Sequence, residues 1–314
     1  MNESSAGKAK SKWKLDVIHD LKINRGVYIL FIPIFVYFVV FNYLPMFGLV
    51  MAFQNFNPIH GFLGSEFVGV SHFIDFFSGP TFLLILRNTM VISLLNLFVG
   101  MFMSISFALL LNEIYLTKFK RTVQTISYMP HFVSAVVISG LVMQFVSSGG
   151  FITNILVTVF GMERQNLLLN PAFFRWINLG TDIWQGMGFG SIIFIAAIAG
   201  ANQELHEAAA IDGANRLKRC WHITLPAIKA TIVVLLVLRL GTLLNVGFER
   251  ILLLYNPTIF PTADVISTHV MRMGIERMQF GYSAAVGFFN SVFGTILLLG
   301  SNFISRKLTD TSLF

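Results

Sequence analysis

Charge is what this sequence has least of. Asp, Glu, Lys and Arg together make up 12% of its 314 residues, while hydrophobic residues make up 55%. Soluble domains carry roughly 25% charged residues, so too few polar groups remain to coat a water-soluble globule of this length. Cysteine is scarcer still. Cys220 is the only one, which excludes an internal disulfide framework and any multi-thiolate metal centre. Catalytic signatures are missing too. Gly7-Lys8 is followed by Ala9 and lacks the upstream glycine of a phosphate-binding loop, so the chain is not expected to hydrolyse ATP itself. His206-Glu207 begins like a zinc-protease helix, but Ala210 stands where the second histidine is required. There is no Gly-x-Ser-x-Gly nucleophile elbow. His19, His60, His72 and His131 are scattered, with no ligand set among them. The expectation is a protein that is not an enzyme and binds no metal.

What the chain has in abundance is long apolar blocks. About 20 apolar residues cross a bilayer as a helix, and six blocks reach that length: Val27–Phe53, Asn88–Leu111, Val123–Val146, Ile177–Ala201, Ile228–Gly247 and Ala284–Ile304. Helix is the only form open to them, because a lone strand leaves its backbone unsatisfied in lipid and the ten-residue alternation of a barrel is missing. The first block, preceded by the basic stretch Lys8 to Arg25, is too long for a signal-peptide core and no small-residue cleavage site follows it, so it reads as a retained helix. Phe151–Met162 is apolar but too short to span, and reads as interfacial or re-entrant. Asn256-Pro257 and Phe260-Pro261 mark turns between Phe248 and Tyr282. The expected fold is therefore an all-α integral membrane protein of about six transmembrane helices. Residues 1–26 form a basic tail, 27–304 a single membrane domain, and 305–314 a second tail.

The formal charge is +7, but its placement argues against nucleic acid. Basic residues cluster in the first tail (Lys8, Lys10, Lys12, Lys14, Lys22, Arg25), the second loop (Lys118, Lys120, Arg121), the fourth loop (Arg216, Lys218, Arg219, with Lys229 just beyond) and the last tail (Arg306, Lys307). The longer alternate loops hold only Arg87, Arg164, Arg175, Arg250, Arg272 and Arg277. Lys and Arg stay on the cytoplasmic side, which places both termini and the fourth loop in the cytoplasm.

That fourth loop, residues 201–227, carries ELHEAAAIDGANRLKRCWHITLPAI from Glu204 to Ile228. Glu204 to Ala210 favours helix. Gly213 can take positive φ and end it. A second helical stretch runs from Asn215 to Ile223, and Pro226 sits near a helix start, where proline is tolerated. Physically this is a short helix across the membrane face followed by a sharp turn, either an amphipathic surface loop or a docking element. Glu207-Ala208-Ala209, then Asp212-Gly213-Ala214, then Ile223 and Leu225-Pro226, resembles the coupling loop of binding-protein-dependent ABC transporter permeases, with the spacing of that family intact. FVGVSHFIDFF (Phe67–Phe77) resembles the first external loop of carbohydrate permeases. Tyr43–Pro58, Tyr128–Val142 and Asn245–Pro257 are similar to the LplB/YtcP-like branch, associated with polysaccharide-derived oligosaccharides.

The resemblance implies a type I importer permease in a bacterial plasma membrane. It implies four kinds of neighbour: a second permease subunit, often a different chain; two cytoplasmic ATPases that hold ATP and magnesium; an extracytoplasmic solute-binding protein; and membrane lipid. This chain itself would bind no cofactor. A stand-alone secondary transporter of a polar solute is the alternative, against which the loop spacing counts.

Polar residues inside apolar blocks are costly and face a cavity or a neighbour. Asp182, Trp184 and Gln185 lie in the fourth block, Arg239 mid-block in the fifth with Asn245, Glu249 and Arg250 beyond it, and Asn290 in the sixth. Trp with Asn or Gln suits sugar ring faces and hydroxyls, and equally suits helix packing or interfacial anchoring. Arg239 either lines a pathway, where it would ease passage of a carboxylate, or pairs with another helix. Gly186 and Gly190 have the spacing of close helix contact. The charge pattern makes a first testable expectation: reporter fusions after Arg25 and after Lys307 both read out cytoplasm. An extracytoplasmic signal from either would overturn the six-span topology.

Overall fold

The computed structural model describes residues 19–309. Lys8, Lys10, Lys12 and Lys14 of the basic tail, and residues 310–314, lie outside the described residues. The architecture is helical apart from a two-residue antiparallel ribbon, Gln54–Asn55 against Glu66–Phe67. Five helical stretches are long and apolar enough to cross a membrane: α1 (Arg25–Phe53), α2 (Phe82–Asn112), Ala135–Phe160, α6 (Pro171–Ala199) and the helix beginning at Phe280. A sixth is the bent pair Arg216–Ala227 and Lys229–Gly241, which meet at 59°.

Within Ala135–Phe160 the helix breaks. α3 (Thr117–Tyr128) is followed by a 3-10 turn, Met129–Phe132, then α4 (Ala135–Val146) and α5 (Phe151–Phe160). The expected third span Val123–Val146 is therefore helix interrupted at Met129–Ser134. Pro130 removes a backbone donor there, Val133 is extended, and Ser134 starts α4 by accepting from Val137 N. Non-helical backbone at membrane depth must be satisfied by protein. Here Gln185 Nε2 donates to Val133 O at 3.3 Å, and His131 stacks on Phe189 at 3.9 Å.

Contacts along the helices give their directions. Asn88 meets Arg175, Gly100 meets Asp182 and Ser104 meets Gly190, so α2 and α6 run parallel. α3 and α4 run back along α6. Ser127 meets Gly188 at one end, and Val142 and Val146 share a cluster with Phe174 at the other. The chain thus makes one return crossing between α2 and α6, through α3 and α4. α5 packs at the far end, with Leu156 against the Val142–Val146 cluster and Phe151 against Phe145.

Small residues set these approaches. A Cβ on Gly188 would lie 2.2 Å from the Ser127 carbonyl, and one on Gly190 would lie 2.9 Å from Ser104 Oγ. The close spacing rests on Gly188 and Gly190; Gly186, expected to pair with Gly190, faces open space.

α7 (Gln203–Ile211) and α8 (Arg216–Ala227) form the fourth loop, and α9 (Lys229–Gly241) follows the bend at buried Ile228. The expected fifth span Ile228–Gly247 stops short: α9 ends at Gly241, Thr242–Gly247 is irregular, and α10 (Phe248–Leu254) is a separate helix. Arg239 is therefore in the last turn of α9, and Asn245, Glu249 and Arg250 are not on the same helix. α11 (Ile266–Met271) and α12 (Phe280–Thr309) complete the chain.

The segment between α9 and α12 reads as a loop in sequence but carries the best-buried residues. Ile251, Ile259, Ala263 and Val265 are each 0% exposed, in one cluster with Val142, Val146, Leu167, Leu168 and Phe174. Polar ties lock it down. Arg272 makes a two-pronged ion pair with Asp264, Asn88 Nδ2 donates to Asp264 O at 3.1 Å, and Ile266 N donates to Thr89 Oγ1 at 3.0 Å. Burial pushes the His269 imidazole below its ordinary pKa, and its Nε2 lies 3.1 Å from the Tyr282 hydroxyl.

By contrast α1 has no buried residue in its apolar window. Its second half, Leu44–Phe53, packs on α12, while Val27–Phe38 presents bare apolar side chains suited to lipid or to another subunit.

The tie with the largest consequence is Arg250. Its side chain, 9% exposed, donates to Asp182 Oδ1 at 2.8 Å, Asn178 Oδ1 at 3.1 Å and Gln185 Oε1 at 3.4 Å. All three acceptors are on α6, so one guanidinium fastens α10 to it. Arg250 is the buried member and Asp182 is 36% exposed, so water can partly solvate the acid left behind, and removing the guanidinium costs about 1–3 kcal/mol, mainly through the buried acceptor Asn178. Arg250→Ala should therefore lower the melting temperature of the purified protein markedly and reduce its abundance in membranes. Asp182→Asn, which keeps a hydrogen-bond acceptor, should do less. A melting curve for Arg250→Ala that matches the parent would show that the pair holds nothing.

Candidate functional site

Two regions carry groups that the fold leaves unused. The first is a set of polar cavities around Thr242–Gly247. One, of ≈ 240 Å³, is lined by Ser93, Asn96, Asp182, Arg239 and Asn245. A second, of ≈ 490 Å³, is lined by Gln185, Asn245, Glu249, Arg250 and Ser267. A third, of ≈ 150 Å³, is lined by Asn245, Asn290, Ser291 and Thr295. Asn245 borders all three, and its Oδ1 accepts from Asn290 Nδ2 at 3.1 Å. The helix break explains the set. With α9 ended at Gly241, the chain from Thr242 to Gly247 lies irregularly across the bundle. Its backbone is partly satisfied by local turns, with Thr242 N donating to Arg239 O, Leu243 N to Leu240 O and Asn245 N to Thr242 O, and the rest borders polar space. Gly247, at φ +26°, has Arg250 Nη2 3.3 Å from where a Cβ would sit, so the guanidinium passes close over the backbone at this residue.

Of the pathway residues expected from sequence, Gln185, Arg239, Asn245, Glu249 and Asn290 come together here. Trp184 does not. One residue on a helix turns the side chain by about 100°, and Trp184 faces a separate apolar cavity of ≈ 650 Å³ with Phe145, Phe151, Phe173 and Trp176. The expected pairing of tryptophan with the polar groups is thus not made within this chain. Ser93 and Asn96 were missed. Their signal was two polar residues three apart, on one helix face, in an otherwise apolar block.

The second region is the fourth loop. Asn202 caps α7 by accepting from Glu204 N at 2.8 Å. α7 ends as expected at Gly213, φ +76°. Ala214 N donates to Ala209 O at 2.9 Å and Gly213 N to Ala210 O at 3.1 Å, the paired bonds of a Schellman motif. This gives a physical reason for the fixed interval between Ala209 and Gly213: glycine is needed at the left-handed position, and the carbonyl four residues before it must accept the closing bond. Asn215 then caps α8 through Lys218 N at 2.9 Å.

The two ends of the loop differ. Leu225 packs against buried Ala108, Phe194, Ile198 and Ile228, and so anchors the Ile223–Pro226 end, whose Thr224 is buried. α7 has no buried residue; Glu207, Ala208 and Asp212 are exposed, and Ile211 is 87% exposed. Arg216 ties the middle of the loop back to the end of α2, 3.8 Å from Glu113 and over the Tyr115 ring. The product is a rigid, rooted projection with a bare helix at its tip.

Comparison with known proteins agrees with both regions. Residues 96–310 match the family of binding-protein-dependent transport system inner membrane components. The chain is 43% identical over 291 residues to the polygalacturonan/rhamnogalacturonan transport system permease protein YteP of Bacillus subtilis, spanning 93% of this chain and 91% of that protein. It is 43% identical over 295 residues to protein LplB of the same organism, spanning 94% and 92%. Among solved structures, a bacterial alginate ABC transporter in complex with an alginate pentasaccharide-bound periplasmic protein contains a chain of 40% identity that superposes with a TM-score of 0.86, covering 94% of this chain and 99% of that one. The bare projecting loop, the polar cavities inside an apolar helical bundle and these matches converge: the chain belongs to the binding-protein-dependent transport system inner membrane components, the multi-pass permeases of ABC importers.

Proposed function

We propose that this permease forms half of a translocation pathway for an oligosaccharide derived from a polysaccharide, in a bacterial plasma membrane. The observation that carries the reading is the pairing of two features in one chain: polar cavities meeting at Asn245 and a rooted coupling helix with no partner of its own. A sugar offers many hydroxyls, and Gln185, Asn245, Asn290 and Ser267 supply both donors and acceptors in the cavities. The relatives that transport polygalacturonan, rhamnogalacturonan and alginate support this substrate class.

The partners follow from geometry and family together. The exposed Val27–Phe38 face and cavities open at one side suit a companion permease. With the basic loop segments on the cytoplasmic side, α7 and both termini would lie in the cytoplasm, and α7 would dock on an ATPase subunit, one for each permease. ATP and magnesium would belong to that ATPase. The α5 and α10–α11 end would face an extracytoplasmic solute-binding protein, as the alginate transporter's periplasmic partner suggests. Docked α7 would move as a rigid unit when the ATPases close, and Leu225 and Ile228 would pass that motion to α2, α6 and α9. Alternating access is then rigid-body rearrangement driven from the cytoplasmic end. A stand-alone transporter would purify without an ATPase.

Glu207 and Gly213 test the coupling. Proline cannot take φ +76° or donate to Ala210 O, so Gly213→Pro should unmake the Schellman turn. Glu207→Lys inverts an exposed charge without touching the fold. Both variants should reach the membrane at parental abundance, while substrate-stimulated ATP hydrolysis by the reconstituted complex falls to the unstimulated rate. Parental stimulation and uptake in both would reject docking through α7.

A further inference from the structure

Of the four charged groups that border the cavities, Asp182 and Arg250 hold each other, whereas Arg239 and Glu249, on different cavities, each lack a partner among the described residues. The ion pairs there are Arg216–Glu113, Arg250–Asp182 and Arg272–Asp264. Arg239 joins none of them, and its guanidinium makes no hydrogen bond among the described residues. It is exposed to a cavity of ≈ 240 Å³ whose only acid, Asp182, is already held by Arg250 at 2.8 Å. Glu249 borders the neighbouring cavity together with Arg250, not this one. The Arg239 head lies beside Gly190, with Nη2 3.8 Å from where a Cβ on that glycine would sit, an ordinary contact distance.

The same cavity holds two further unspent groups. Ser93 is 6% exposed, and its Oγ has no hydrogen-bond partner; neither has Asn96 Oδ1. Both line the cavity with Arg239. A buried polar group without a partner costs free energy. A charge deep in a membrane span costs about 2.5–3.5 kcal/mol more on insertion scales. An uncompensated cation beside two unpartnered hydrogen-bonding groups, in one cavity, is what a ligand bearing both a carboxylate and hydroxyls would complete. A guanidinium fork matches a carboxylate two-pronged, Ser93 can donate or accept, and Asn96 Oδ1 accepts from a sugar hydroxyl.

We infer that Arg239, Ser93 and Asn96 form a carboxylate-reading subsite within the pathway, which makes the permease selective for oligosaccharides that carry uronate groups. This rests on the oligosaccharide reading above. A carboxylate stripped of water needs a compensating charge; Arg239 supplies it, and a neutral sugar gains nothing from it.

The test uses the complete reconstituted transporter, with its solute-binding protein and ATPases, at matched complex abundance. The probes are galacturonate and mannuronate trisaccharides, each as free acid and as full methyl ester, with a neutral trisaccharide alongside. The ester keeps the sugar and removes the charge. The parent should import a free acid. Arg239→Gln should cut uptake of that acid by about tenfold or more, the range of a lost charged hydrogen bond, and change ester or neutral uptake little. Arg239→Lys should recover part of it. Asn96→Asp, which adds a negative charge to the same cavity, gives an independent reading if Arg239 variants assemble poorly; it too should depress the acid selectively. Equal loss for acid and ester, in the Arg239 or the Asn96 variants, overturns the subsite; with reduced abundance of the Arg239 variants, it assigns Arg239 to pairing with the companion subunit. A parent that imports only the ester or the neutral sugar also overturns it. A parent that imports no trisaccharide overturns the oligosaccharide reading itself.

Discussion

A single guanidinium governs how the inner half of this protein is arranged. Arg250 reaches from α10 to three acceptors on α6, and in doing so draws the irregular segment Thr242–Gly247 across the bundle. Together with the Asn245–Asn290 hydrogen bond, that anchor holds a non-helical stretch of backbone inside the bundle. With it, the end of α9 is free to leave cavities on either side. Asp182 is neutralised by the same contact, so the cavity it borders is left with the charge of Arg239. One ion pair therefore serves packing, the break in α9 and the electrostatics of the cavity. Its cost is concentrated accordingly, since burial makes the guanidinium depend on its acceptors.

The opposite device operates at the coupling loop, where tertiary burial is minimal and local rules suffice. Asn202 and Asn215 cap two helices, Gly213 closes the first through two backbone bonds, and Leu225 roots the loop in the bundle. α7 spends none of its surface on its own chain, since it has no buried residue. Its shape is therefore written in caps and turns, each worth about 1 kcal/mol. The rigid unit that results is stiff enough to carry motion, and its tip remains free.

The two regions differ in how far a linear reading reaches them. The spans were legible because the bilayer fixes a length and a composition. α2, α6 and α12 all fall on the expected apolar blocks with ends moved by a few residues. The fourth loop was legible because its signals are local: a helix-favouring run, a positive-φ glycine and a proline near the bend, whereas the Asn202 and Asn215 caps were seen only in the structure. The breaks were less so. Pro130 announced an interruption that hydropathy overrode. The end of α9 at Gly241 carried no signal beyond a glycine. Arg250 and Arg272 counted as loop charges by sequence, and both are paired and largely buried.

Sequence by itself determined that this chain is a helical membrane protein, where its apolar segments lie, and that one loop holds a short helix closed by a glycine turn. These follow from hydrocarbon thickness, backbone satisfaction and local turn chemistry, all of which act over a few residues to a few turns. Only the tertiary structure decided that Trp184 parts company with Gln185, that Gly188 rather than Gly186 sets the approach of α6 to α3, and that the segment after α9 contributes fully buried residues to the core. It also decided that Arg239 finds no acid among the described residues and shares a cavity with Ser93 and Asn96. Each depends on groups brought together across long chain separations, such as Arg250 with Asn178, 72 residues apart. No local propensity encodes which buried cation finds an acid and which is left for something else.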